Sequence, residues 1–247
     1  MPKFFVNEEQ IQKEDVKVIG NDVKHIKNVL REKVGNELII CNTSNKKDYL
    51  CKIEEISEEY IKCKIEKELE NNSESNIQVT IMQGLPKADK MELIIQKSVE
   101  LGVYDIIPIE MKRCVVKVNE KDKQKKLQRW QKISEVAAKQ CGRNIIPKIK
   151  PILNLKNICN MLKEYDIVLL AYEKEEKITI KQELNNIKEN LNNNSKFKIA
   201  VIVGPEGGIS TEEVELLQKK RGKINYIRKK NIKNRNCSFK CFKCNNV

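Results

Sequence analysis

Apolar and polar positions set two different rhythms along the chain. Between residues 1 and 70 the apolar runs are short. Glu37-Leu38-Ile39-Ile40-Cys41 reads as a strand, and Asn42-Thr43-Ser44-Asn45 as the turn after it. Two more strands are predicted over residues 49–53 and 60–65, the second with apolar and polar side chains alternating at period two. A short helix over residues 22–31 would carry Val23, Ile26, Val29 and Leu30 on its apolar side. Several short strands with one helix predict a small β-barrel.

Residues 71–76, with Glu70 before them, are polar and predict an unstructured interdomain linker. The rhythm then changes. Strands are predicted over 77–83, 106–109, 167–172 and 199–203, the last two apolar enough to be buried on both faces of a sheet. Helices are predicted over 89–101, 123–140 and 211–220. The first of these turns Met91, Ile94, Ile95 and Val99 inward. In the second, Trp130 recurs at helical spacing with Ile133 and Ala137 and belongs to the core. Strand–helix alternation predicts an α/β domain over residues 77–226, a parallel sheet covered by helices.

The 247 residues carry a formal net charge of +13. So basic a chain favours an acidic partner, most commonly nucleic acid. The same charge also follows from heavy use of Lys, Asn, Ile and Glu, as AT-rich coding dictates, so charge alone leaves both accounts open. No apolar run approaches the ~18 residues of a membrane span. The apolar stretch Phe4-Phe5-Val6 is too short for a signal peptide. Cys41, Cys51, Cys63, Cys114, Cys141 and Cys159 are scattered singly, which fits free thiols in a reducing cytoplasm.

The sharpest motif is Val201-Ile202-Val203-Gly204-Pro205-Glu206-Gly207-Gly208-Ile209-Ser210. A buried strand runs into a loop with three glycines, and Ser210 or Thr211 then caps a helix opened by Glu212 and Glu213. Glycines let main-chain N–H groups approach a ligand, and loops at the carboxyl ends of parallel strands are where open α/β sheets bind one. A tight turn without a ligand would use the same residues. No Lys-Ser/Thr pair follows, and the dinucleotide spacing is absent, so neither common phosphate-binding loop fits.

Gly204-Pro205-Glu206-Gly207-Gly208 resembles the signature of the RsmE family of SPOUT-class methyltransferases. Further stretches agree in order and spacing. They are Met1-Pro2-Lys3-Phe4-Phe5-Val6, Val29-Leu30-Arg31, Lys87-Ala88-Asp89-Lys90 with Met91 to Lys97, and Glu100-Leu101-Gly102-Val103. Lys112-Arg113, Arg129-Trp130-Gln131-Lys132-Ile133 and Ala137 to Arg143 also match, so the likeness covers residues 1 to about 225. It implies a PUA-like RNA-binding β-barrel over 1–70 and a SPOUT α/β domain over 77–226 that folds into a trefoil knot. It also implies S-adenosylmethionine as cofactor, held by Leu170, Ala171, Gly204, Pro205, Glu206, Gly207 and Gly208. The family methylates N3 of one uridine of 16S ribosomal RNA in the small subunit, works as a cytoplasmic homodimer, and uses neither metal nor membrane.

N3 of uridine must lose a proton before or during methyl transfer. A cationic donor stabilises the imide anion that develops, and Arg113 and Arg143 are the candidates. Arg31, Lys87, Lys90, Lys97 and Arg129 are candidate RNA contacts, since phosphate binding needs cations and the base must be unstacked. Plainer roles compete: Lys97 and Glu100 sit one helical turn apart and suit an ion pair, and residues 121–126 suit a solvated face. His25, the single histidine, is expected to pack or touch RNA rather than catalyse. A catalytically inactive RNA-binding protein is the alternative reading, to which the glycine loop would be superfluous.

The tail departs from the family. There the last strand ends in Leu-Gly and is followed by Ile-Leu-Arg-Thr-Glu-Thr-Ala, which closes the knot and lines the donor site. Here residues 228–247 hold seven basic side chains and no acidic one, with neither strand nor amphipathic-helix periodicity. Back-translated with A/T-rich codons and read one base over, residues 227–240 give Leu-Gly-Lys-Lys-Ile-Leu-Arg-Thr-Glu-Thr-Ala-Ala-Leu. We therefore expect an out-of-frame tail over 227–247 and an incomplete knot. Cys237, Cys241 and Cys244 have the Cys-x3-Cys-x2-Cys spacing of iron–sulfur sites, but only three residues follow and a fourth zinc ligand is missing, so no metal is expected.

Overall fold

The fold was read from a computed structural model, which describes residues 1–70, 74–172, 196–221 and 225–228. The out-of-frame tail and the knot-closing segment expected from the sequence lie outside the described residues, apart from the strand that ends at residue 228. The chain divides into two compact units. The first is Met1–Glu74 with Ala138–Ile146; the second is Ser75–Ala137 with the described residues from Pro147 onward.

The first unit is a six-stranded curled sheet of β1 (Lys3–Val6), β2 (Ile11–Gln12), β3 (Asp15–Ile19), β4 (Glu37–Asn42), β5 (Asp48–Ile56) and β6 (Tyr60–Leu69). Its order is β1-β4-β5-β6-β3-β2, with β1 parallel to β4 and the other pairs antiparallel. Alternation on β6 works as the sequence predicts, with Ile61 and Cys63 buried and Lys64 exposed; β3, for which no strand was predicted, shows the same pattern, with Val16 and Val18 buried and Lys17 exposed. Burial pushes the thiols of Cys41, Cys51 and Cys63 up to about 12, so they pack as protonated apolar side chains.

The predicted helix is shorter and less regular than its pattern. α1 (Asn21–Lys24) passes into a π-turn over His25–Val29, closed by the Leu30 N–H donating to the His25 carbonyl at 2.9 Å. The wider turn rotates Val29 out of the apolar stripe, and it is 65% exposed where burial was expected. His25 lies edge-on to Phe4, with ring centroids 6.1 Å apart.

Two ion pairs, one buried and one half-buried, and the hydrogen bonds around them hold residues 138–146 in this unit, outside the domain in which the sequence pattern places them. Lys3 Nζ donates to Asp48 Oδ2 at 2.7 Å, to the Gly142 carbonyl and to Asn144 Oδ1. The Arg143 guanidinium grips Glu74 through Nη2 at 2.6 Å and Nε at 3.2 Å, and the N–H groups of Asn144 and Ile145 donate to the same carboxylate. Glu74 is therefore anchored within the stretch expected as a linker, where residues 74–76 form neither helix nor strand; residues 71–73 of it lie outside the described residues.

The second unit is a parallel sheet of β7 (Ile77–Gly84), β8 (Asp105–Glu110), β9 (Lys148–Ile149), β10 (Leu153–Asn154), β11 (Ile167–Tyr172), β12 (Phe197–Val203) and β13 (Asn225–Arg228). Its order is β10-β8-β7-β12-β11-β13, with β9 also on β8. The helices are α2 (Lys90–Glu100), α3 (Glu120–Gln140), α4 (Leu155–Met161) and α5 (Thr211–Arg221). One face of the sheet buries Met82, Ile107, Leu170 and Ile202 against Ile158 of α4 and Leu217 of α5. Trp130 is buried as predicted. From β7 the chain moves outward to β8 on one side, while β12 pairs with β7 on the other. That reversal makes the carboxyl ends of β7 and β12 the crevice where such sheets bind ligands.

Candidate active site

Three loops meet at the carboxyl ends of β7, β8 and β12. Val203, the last residue of β12, is in register with Gln83 on β7 and Ala171 on β11. Gln83, buried, donates its side-chain amide to the Gly84 carbonyl at 2.9 Å and to the Gly204 carbonyl at 3.4 Å. The strand end thus holds the first glycine of the motif.

The loop then packs too closely for side chains. A Cβ on Gly204 would lie 2.6 Å from Ile209 Cγ1, and one on Gly207 would lie 3.1 Å from Arg113 Cβ and 3.2 Å from the Arg113 carbonyl oxygen. Gly208 turns with φ +74, in the left-handed region that favours glycine. What the exposed edge at Glu206 and Gly207 offers is therefore mostly main chain.

Carboxylates fasten the loops to one another. Glu206 accepts the Lys87 N–H at 3.2 and 3.1 Å and the Lys90 ammonium at 2.7 Å, tying the motif to the start of α2. Partial burial alone would raise its carboxyl, but the Lys90 ammonium and the loop N–H groups outweigh it and hold the group below its ordinary value. On the other side the Arg113 Nη1 donates to the Gly207 carbonyl at 3.0 Å. Glu213 is buried and accepts the Lys112 N–H at 2.7 Å and the Ser210 N–H at 3.0 Å.

The predicted residues fall into four groups. Arg113, Lys87, Lys90, Ala171 and Gly204–Gly208 come together at this end of the sheet. Leu170 is fully buried in the core beneath it. Lys97 and Arg129 lie elsewhere in the second unit: Lys97 pairs with Glu100 at 2.7 Å, as its helical spacing suggests, and Arg129 with Glu92 at 2.8 Å. Arg31 and Arg143 belong to the first unit, Arg31 exposed with φ +55 and Arg143 with its guanidinium on Glu74. Gln83, Gly84 and Glu213 are missed by sequence reading. Only Glu213 carries a signal, the Ser-x-x-Glu spacing of a capping box, and that spacing speaks of a helix start rather than a site. Among the described residues no three His, Cys, Asp or Glu cluster as metal ligands; Cys237, Cys241 and Cys244 lie outside them. No described helix is long and apolar enough to cross a membrane.

Residues 73–229, more than half of the chain, match the RNA methyltransferase domain family. The chain belongs to that family. Residues 18–66 match the PUA domain of RNA methyltransferases. Ribosomal RNA small subunit methyltransferase E of Bacillus subtilis (strain 168) is 32% identical over 225 residues, 90% of this chain and 87% of its own. The enzyme of that name from Mesomycoplasma hyopneumoniae is 33% identical over 89% of this chain and 87% of its own. A crystal structure of ribosomal RNA small subunit methyltransferase E from Neisseria gonorrhoeae, bound to S-adenosyl methionine, aligns over 98% of this chain and 94% of that one. Its identity is 25% and its TM-score 0.79. This RNA methyltransferase therefore shares both units with its relatives, the curled sheet and the parallel sheet.

Proposed function

We propose that this RNA methyltransferase transfers a methyl group from S-adenosylmethionine to N3 of a uridine in 16S ribosomal RNA. The observation that carries the reading is the packing of Arg113 on the glycine motif, with its guanidinium on the Gly207 carbonyl, at the switch point of a parallel sheet. The relatives' names supply the RNA, and the gonococcal structure supplies the donor.

The residues present fit such a donor. Gly204 has no room for a side chain, so a ligand at this strand end meets the main chain there, and Glu206 and Gly207 beside it are exposed. The loop and Ala171 would hold it, and when bound it supplies an electrophilic methyl without help from a metal. The chain's own task is then positioning and charge. Arg113 holds the imide anion that develops as N3 loses its proton. Lys87, with its exposed side chain, contacts phosphate beside the unstacked base, and Arg31 is an RNA contact of the PUA unit by itself. Arg143, whose guanidinium is taken up by Glu74, acts through structure and not at the reacting atoms. The protein works in the cytoplasm as a homodimer, which light scattering would report.

The tail at residues 227–247 favours a second reading, a catalytically inactive RNA-binding protein. Calorimetry with S-adenosylmethionine separates the two: binding supports the enzyme, and its absence with retained RNA affinity supports the binder. Arg113→Ala should lower kcat on the order of a hundred-fold with little change in donor affinity. An unchanged kcat would remove Arg113 from the reaction.

A further inference from the structure

The Ser210–Glu213 cap does more than begin a helix. Ser210 Oγ accepts the Glu213 N–H at 3.3 Å, and Glu213 Oε2 accepts the Ser210 N–H at 3.0 Å, the reciprocal pair of a capping box. That pair occupies only one carboxylate oxygen. Oε1 accepts the N–H of Lys112 at 2.7 Å, from a loop a hundred residues away in the chain. Lys112 immediately precedes Arg113, whose guanidinium reaches the Gly207 carbonyl. We propose that Glu213 is a positioning residue for Arg113: its buried carboxylate clamps the loop after β8 to the start of α5 and so fixes the guanidinium against the glycine motif.

A carboxylate suits the place because both partners are N–H donors and it is an acceptor at both oxygens. Glutamine has one acceptor oxygen, and its amide would meet the second N–H donor to donor. Glu212 is no substitute, for it is exposed and meets Lys112 at its side-chain ammonium and not at the main-chain N–H. Displacing a guanidinium by about an ångström is enough to cost a hundred-fold in rate. The clamp therefore acts on turnover more than on donor affinity.

The proposal rests on Arg113 acting in the reaction, so the test carries Arg113→Ala alongside. The full chain is prepared as Glu213→Ala, Ser210→Ala, Arg113→Ala and the Arg113→Ala/Glu213→Ala double variant. Two readouts are taken, amide exchange at Lys112 and kcat on 16S ribosomal RNA. Glu213→Ala should speed Lys112 exchange and lower kcat on the order of ten-fold or more. Ser210→Ala weakens the same cap but keeps the clamp, so it should leave Lys112 exchange unchanged and kcat within about two-fold. In the Arg113→Ala background Glu213→Ala should cost nothing further, because the two act as one unit. If Glu213→Ala does not fold, Glu213→Gln replaces it and should show the same pattern more weakly.

Losses that multiply in the double variant, or equal losses from Ser210→Ala and Glu213→Ala, would make Glu213 a cap alone. Unchanged Lys112 exchange in Glu213→Ala would overturn the clamp, and that readout decides the matter even in a chain that does not turn over. A wild-type kcat in Arg113→Ala would instead overturn the role of Arg113, and the positioning role with it.

Discussion

A methyl group on Gly84 would lie 2.7 Å from Pro205 Cδ, 2.8 Å from Pro205 N and 2.9 Å from Met111 Sδ. Two of these contacts are to a proline that cannot swing aside, so Gly84→Ala must push β7 and the glycine motif apart. We expect it to cost about 1–3 kcal/mol in urea unfolding and to weaken donor binding. Gly102 is the control: it has φ +93 but open space around its Cα, so Gly102→Ala should cost about 1 kcal/mol and leave donor affinity alone. Glu206 offers a pH test. Its carboxyl is held below the ordinary 4.5, so its contribution to stability is fully present above that pH and is lost as pH falls below it. Unfolding midpoints should drop more steeply below pH 4.5 in the wild type than in Glu206→Gln, and parallel curves would refute the tether. At this scale the sequence named Gly204–Gly208 because three glycines cluster. It could not name Gly84, a lone glycine whose need arises from a proline more than a hundred residues away.

Elements were legible wherever the apolar period was long. Strands β7, β11 and β12 and helix α2 lie within two residues of their predicted bounds, since continuous burial or a 3.6 period marks them. One element was read wrongly, for an identifiable reason. The π-turn at His25–Val29 breaks the helical period that put Val29 inside. Residues 70–76 read as a linker because they are polar, and the described ones form neither helix nor strand; within them the Glu74 carboxylate gathers four N–H donors. Arg143→Ala would leave that carboxylate half-buried without its main partner and should destabilise the chain by about 3 kcal/mol. Donor affinity should stay unchanged. Replacing both partners by apolar residues should recover most of the loss, and a thermal scan of the single and double variants checks this. A loss confined to kcat, with full stability, would return Arg143 to the reaction.

For the whole molecule, the resemblance ran in order and spacing across two units, and the matched families cover the same ground. The meeting of three loops was not legible, because it depends on sheet order, and sheet order rests on contacts far apart in sequence. Strand β13 pairs with β11 through residue 228, the point at which the expected Leu-Gly of the other reading frame would stand. The most direct measurement compares the chain as it stands with a variant whose residues from 227 onward follow that frame. Each is incubated with labelled S-adenosylmethionine and unmethylated 16S ribosomal RNA, and the digested RNA is mapped by mass spectrometry. We expect the frame-restored chain to place a methyl group on N3 of one uridine, and the present chain to do so more slowly or not at all. Label on another atom, or none from either chain, would contradict the account.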